Sequence, residues 1–139
     1  MSDSNIDYID DYSACDRTYA TLRIYPSDKP PQHITDFLGI EPTRTSIYSE
    51  DKGKVNGWFL SSQDYVTSRD SRRHIDWILD QIEPLKIKFL ELHKSKIMID
   101  ICCFWESSTG NGGPTISPKQ MKRLVKFDLE LWWDVWFSE

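Results

Sequence analysis

Residues 18–25, TYATLRIY, alternate strictly: Ala20, Leu22 and Ile24 fall on one face, Tyr19, Thr21, Arg23 and Tyr25 on the other. A period of two with one apolar side predicts a strand lying on a core. Pro26-Ser27-Asp28 reads as a turn. Pro30-Pro31 opens a helix, where a missing N–H costs nothing. Ile34, Phe37 and Leu38 make its apolar stripe, and Gly39 supplies the stop. A short strand near 45–48 and a polar loop over 49–56 lead to a strand at 57–61. There Trp58 and Leu60 share one face and Phe59 takes the other.

The main helix spans residues 71–93. Ile75, Ile78, Leu79, Ile82, Leu85, Phe89 and Leu92 recur at helical spacing, and Pro84 kinks or breaks it. Residues 96–104 form a strand with Ile97, Ile99, Ile101 and Cys103 on one side; Met98, Cys102 and Phe104 on the other side mark it as central. A Gly-rich loop covers 106–115. Ser117-Pro118 then starts a helix with Met121, Leu124 and Val125 inward and Lys119, Lys122, Arg123 and Lys126 outward. The last strand, 128–137, has a core face of Leu129, Leu131, Trp133, Val135 and Phe137.

The order is therefore β-α-β-β-α-β-α-β. The first six elements match the ferredoxin-like split βαβ pattern, with one extra αβ unit. This predicts an α+β fold: a single, mainly antiparallel sheet with helices on one face. No repeat or linker divides residues 17–139, which read as one domain behind a solvated acidic tail at 1–16.

Charge narrows the function. The chain has 139 residues and a formal net charge of −5, which disfavours nucleic acid, whose binding rests on Lys and Arg. It suits steering toward a basic partner. The first residues lack the basic and apolar regions of a secretory signal, and no apolar run is long enough to span a membrane. Three cysteines, Cys15 and the adjacent Cys102-Cys103, have no framework spacing; they read as reduced, inert thiols of a cytoplasmic protein.

Several stretches together carry a resemblance. They are YATLRIYP, ITDFLGIEPTR, GWFLSS, HIDWILDQIEPL, IDICCFWESSTGNGG and ISPKQMKRL. In combination they resemble the domain-of-unknown-function family numbered 4279, over nearly the whole chain except the acidic tail. The family pattern often reads WSL where this chain has Trp58-Phe59-Leu60. The resemblance implies a small α+β domain that stands alone in microbial genomes, and it brings no catalytic residues. Its size and setting are similar to those of immunity proteins found beside secreted toxins.

The candidate chemistry is sparse. His33, His74 and His93 are far apart, no HExxH or CxxC is present, and no metal or cofactor is expected. Ser61-Ser62 lacks a nucleophile elbow, and Cys103 sits on a core face. Asp128, Glu130 and Asp134 read as a solvated strand face. SSTGNGG lacks the Lys and the direct helix of a P-loop. This pattern leans against enzymatic activity without deciding it.

Two constellations remain. On the non-core side, Trp132 and Trp136 of the last strand and Tyr19, Tyr25 and Arg23 of the first belong to residue types that anchor interfaces. They favour a protein-binding module with a basic partner, flanked by Asp7, Asp10, Asp11 and the Gly-rich loop, or a homodimer formed through that face. Alternatively, Arg44, Arg69, Arg72 and Arg73 gather with Gly112 and Gly113 around an anion, as in a small-molecule sensor or enzyme. An aromatic sheet face also suggests a single-strand RNA binder, but the RNP1 pattern is missing.

Overall fold

The structure is a computed structural model and describes residues 7–138. Its elements are β1 (Arg17–Tyr25), α1 (Pro31–Leu38), β2 (Arg44–Ser46), β3 (Gly57–Ser61), α2 (Ser71–Ile82), α3 (Lys86–Lys94), β4 (Met98–Ser107), α4 (Pro118–Lys126) and β5 (Glu130–Phe137). Among the described residues the strands form one five-stranded sheet in the order β2-β3-β1-β4-β5. β1 pairs antiparallel with β3 and β4, β2 pairs antiparallel with β3, and β5 runs parallel to β4. This is the split βαβ arrangement with an αβ unit added beyond β4.

The element boundaries follow local chemistry. Gly39 takes a left-handed φ of 75° and donates its N–H to Thr35 O, which stops α1. Pro84 cannot continue the helical ladder, so α2 passes through a 3₁₀ turn, Glu83–Leu85, into α3. Ser117 and Gln120 form a reciprocal capping box at the start of α4. The core lies between the sheet and the helices. Ala20, Leu22 and Ile24 meet Ile34, Ile75, Ile78, Leu79, Phe89 and Leu124, and the buried Trp58 donates its indole N–H to Thr35 Oγ1 at 3.0 Å. Sealing that N–H matters because an unpaired donor there costs about 1–3 kcal/mol.

Three expectations need correction. Helix α4 is rotated from the expected phase: Gln120 and Leu124 face inward while Met121 and Val125 are exposed. Gln120 is drawn inside because its amide both caps the helix and donates to Asp76 at 2.8 Å. Strand β4 continues to Ser107, beyond the expected end at 104, which buries Trp105 and shortens the Gly-rich loop. The core face expected for the last strand is covered less and less along its length: Leu129, just before β5, is buried, Leu131 and Trp133 are partly buried, and Val135 is 41% and Phe137 58% exposed.

The N-terminal stretch also departs from a solvated tail. Residues 1–6 lie outside the described ones, but residues 7–16 form a strap across the start of α2. Ile9 N donates to Asp70 Oδ2 at 2.7 Å, and Arg69 N donates to Asp10 O at 2.9 Å. Tyr8 donates to Asp76 at 2.5 Å, and Asp16 N donates to Glu106 O at 2.7 Å. Within it, Ala14 and Cys15 are buried. Asp10 pairs with Arg73, and the Asp7 carbonyl accepts from Arg72, so cations at the start of α2 hold this acidic stretch in place.

Gly112 closes the strap from the other side. Its φ is +76°, and a side chain there would collide with Tyr12 Oη and lie 2.6 Å from Ala14 Cβ. Gly112→Ala is expected to destabilise the fold by roughly 1–3 kcal/mol through strain and displacement of the strap. Urea unfolding should show the lower midpoint, and limited proteolysis should show earlier cleavage within residues 7–16.

Candidate functional site

No helix covers the other side of the sheet among the described residues, and the strand register defines what it presents. Arg23 stands opposite Asp100, and Asp100 opposite Glu130; Arg44 stands opposite Phe59, and Phe59 opposite Arg23. Thr21, Cys102 and Trp132 form the next row, then Tyr19, Phe104 and Asp134, then Arg17, Glu106 and Trp136. The five residues expected to share this face, Trp132, Trp136, Tyr19, Tyr25 and Arg23, do share it.

The face is built from aromatic and ionic contacts. Tyr19 stacks on Phe104 with centroids 5.0 Å apart, and the Arg17 guanidinium lies 5.0 Å from the Phe104 ring. Tyr25 meets Phe59 edge-on, and Arg44 lies 4.2 Å above that ring. Arg23 grips Asp100 with two bonds of 2.6 and 2.8 Å in the middle of the sheet. Phe59, Phe104, Arg17 and Asp100 complete a platform of which the sequence reading named only part. The alternation of β4 carried the signal; the missing link was the register that sets it between β1 and β5.

Charge is unevenly spread across the platform. Glu130 and Asp134 are exposed and have no cationic partner among the described residues. Each accepts a bond from an indole two residues on: Trp132 Nε1 to Glu130 at 2.9 Å, Trp136 Nε1 to Asp134 at 2.8 Å. Trp132 and Trp136 are 56% and 57% exposed. The β5 side is thus aromatic and acidic, and Arg44 marks the β2 side.

The model of the family described as a domain of unknown function, DUF4279, matches residues 16–138. The chain belongs to the DUF4279 family. Neither a curated protein nor a solved structure matches it. The domain match begins at the last strap residue, so the strap lies almost wholly in front of the DUF4279 region.

In this DUF4279 protein the four arginines do not converge. Arg44 lies over Phe59 on the platform, whereas Arg69, Arg72 and Arg73 sit at the start of α2. Arg72 is held by Asp70 at 2.7 Å and also donates to Ser117 Oγ and Asp7 O. Arg73 pairs with Asp10 at 2.8 Å. Arg69, Arg72 and Gly113, with Ile9, Tyr12 and Trp105, line a cavity of about 170 Å³. Gly112 packs on the strap instead, and Arg69 is the arginine of this group without an ion pair among the described residues. Asp10 is likewise committed: its bonds to Arg73 and then Ser68 hold its carboxyl below the ordinary range.

A larger hollow of about 500 Å³ lies between the strap, the loop before α2 and the outer side of α2, walled by Tyr8, Tyr65, Trp77 and Asp80. Tyr65 stacks on Trp77 at 4.9 Å, and the partly buried Trp77 packs against the core. Burial, and then the bond to Asp76, push the Tyr8 phenol up. Asp76 is shared by Tyr8, Gln120 and Arg123, so the charged groups around this hollow already satisfy one another.

The structure also contains a Ser–His contact that sequence spacing did not reveal. Ser62 Oγ lies 2.6 Å from His74 Nδ1, and His74 Nε2 lies 2.8 Å from Ser68 O. Ser62 also accepts from Ala20 N at 3.0 Å. With Nε2 facing a carbonyl, that nitrogen carries the proton and Nδ1 accepts from the serine. Both side chains are sealed from solvent, so no substrate can reach them. The contact is a bracket that ties β3, β1 and α2 together. The three thiols are free: Cys15 and Cys103 are buried, Cys102 is half-buried on the open face, and burial pushes Cys103 up to about 12. No group of three metal-ligating residues occurs among the described residues, and no described helix is long and apolar enough to cross a membrane.

Burial holds His74 below its ordinary value of 6.5. The unfolded chain therefore takes up a proton before the folded one, and stability must fall as pH drops below that ordinary value. NMR titration should place the His74 imidazole transition below those of exposed histidines. His74→Gln is expected to flatten the stability loss between neutral and mildly acidic pH, measured by denaturant unfolding.

Proposed function

We propose that this protein is a non-enzymatic, cytosolic protein-binding module that docks a basic partner on the open sheet face. The biological setting that fits is an immunity-type inhibitor of a toxin or other effector. One observation carries the reading: two half-exposed tryptophans stand on an uncovered sheet face beside two carboxylates that lack cationic partners. Tryptophan, tyrosine and arginine dominate binding energy at interface centres, and flanking charges set the approach of the partner. A net charge of −5 supports attraction to a basic surface.

The same geometry favours protein docking over anion recognition. Arg72 and Arg73 are already paired with carboxylates, which leaves Arg69 to meet a ligand anion in that region. Pairing through the open face in a homodimer would place like carboxylates of β5 on one interface, a cost that a basic partner avoids.

The test is affinity capture of the tagged full chain from native lysate at low and moderate salt, followed by titration of the recovered partner. A basic protein bound in fixed ratio and weakened by salt is expected. Trp132→Ala and Trp136→Ala should each weaken it by roughly 2 kcal/mol, about thirtyfold. Unchanged affinity in both variants would remove the platform as the site.

A further inference from the structure

Strand β5 is one edge of the sheet, and its two charged residues, Glu130 and Asp134, both lie on the open face. It pairs with β4 alone among the described residues, over its full eight residues. Proteins blunt such edges with short strands, proline, lysine or bulges. The opposite edge, β2, is only three residues long. ELWWDVWF has no proline and no basic residue.

The backbone direction is fixed by the strand end. Ser138 N donates to Ser107 O on the β4 side at 2.9 Å. Backbone groups alternate sides along a strand, so the N–H and C=O of Leu131, Trp133, Val135 and Phe137 point away from β4. On the helix face, the apolar row runs past its cover: Leu129 is buried, whereas Val135 and Phe137 are exposed. A row of unpaired backbone groups therefore coincides with apolar side chains that this copy leaves bare.

We infer that β5 pairs antiparallel with β5 of a second copy, joining two sheets edge to edge about a two-fold axis at Trp133. The sequence of the strand is self-complementary in that register. Glu130 falls opposite Trp136, Trp132 opposite Asp134, Leu131 opposite Val135, and Trp133 opposite Trp133. Carboxylates face indoles and apolar residues face apolar residues. Centring the pairing on Trp132 puts Glu130 opposite Asp134, and centring it on Asp134 sets that carboxylate against itself; like charges directly opposite destabilise a pair. Phe137 falls opposite Leu129, which continues the apolar row into the second copy. The result is a single widened platform with the tryptophans of both copies near its middle. This inference rests on the strand edge, not on the binding reading of the open face.

The experiment is sedimentation velocity of the full chain up to high micromolar concentration, with amide exchange on the same samples. A species of twice 16.4 kDa is expected. The outward amides of Leu131, Trp133, Val135 and Phe137 should be protected. Two copies of net charge −5 repel, so added salt should strengthen this pairing, the opposite sign from docking a basic partner. Val135→Lys should give a monomer with unchanged circular dichroism and exposed amides. If that variant does not fold, Val135→Pro removes one outward N–H at an edge position that tolerates proline. A monomer at every concentration with fast exchange of those four amides overturns the inference. So does a dimer that survives Val135→Lys and dissociates in Trp132→Ala.

Discussion

The buried carboxylate of Asp70 is the point on which the helix layer depends. It caps α2 through Arg72 N, accepts Ile9 N from the strap, and is gripped by the Arg72 guanidinium. Arg72 in turn reaches Ser117 Oγ, the capping residue of α4, and Asp7 O. One ion pair therefore joins the strap and the starts of two helices. Burial alone would raise the carboxyl, but Arg72 and the amides of Ile9 and Arg72 outweigh it and hold it below the ordinary range. Removing either partner of such a pair leaves a buried, uncompensated charge, which is why the geometry has to be complete.

This arrangement concentrates order on one side of the sheet. The helices, the capping carboxylates, the Ser62–His74 bracket and the strap all lie on or around the helix layer, where polar groups find protein partners. The opposite face is held by side-chain contacts within the sheet, among them stacked rings, Arg over ring, and the Arg23–Asp100 fork. Such contacts stabilise the face without a covering layer.

Much of this was legible in residue order, and the reasons differ between elements. The alternation of β1 and the helical spacing of α2 are strong because burial acts on many residues at once, so the element order and the sheet's handed-out faces could be read directly. The face of α4 could not, because a single polar contact from Gln120 to Asp76 outweighed its apolar residues. The strap was read as solvated from composition; its order comes from cations about sixty residues away, which no local pattern contains. The aromatic platform was half visible. Side-chain parity placed Trp132, Trp136, Tyr19 and Tyr25 on one face, but only strand register brings Phe104 and Phe59 between and beside them. The arginine cluster failed for the same reason in reverse: nearness in sequence joined Arg69, Arg72 and Arg73, while pairing with Asp70 and Asp10 consumed two of them.

The indole tethers on β5 have a further consequence. Trp132 and Trp136 each have their N–H committed to a carboxylate two residues earlier. A tryptophan on a surface normally samples several rotamers and carries a donor that must be rehydrated or re-bonded whenever its surroundings change. Here the donor is already bonded before any contact forms, and the bond favours one placement of each ring. Whatever comes to lie on these rings has no indole N–H to satisfy.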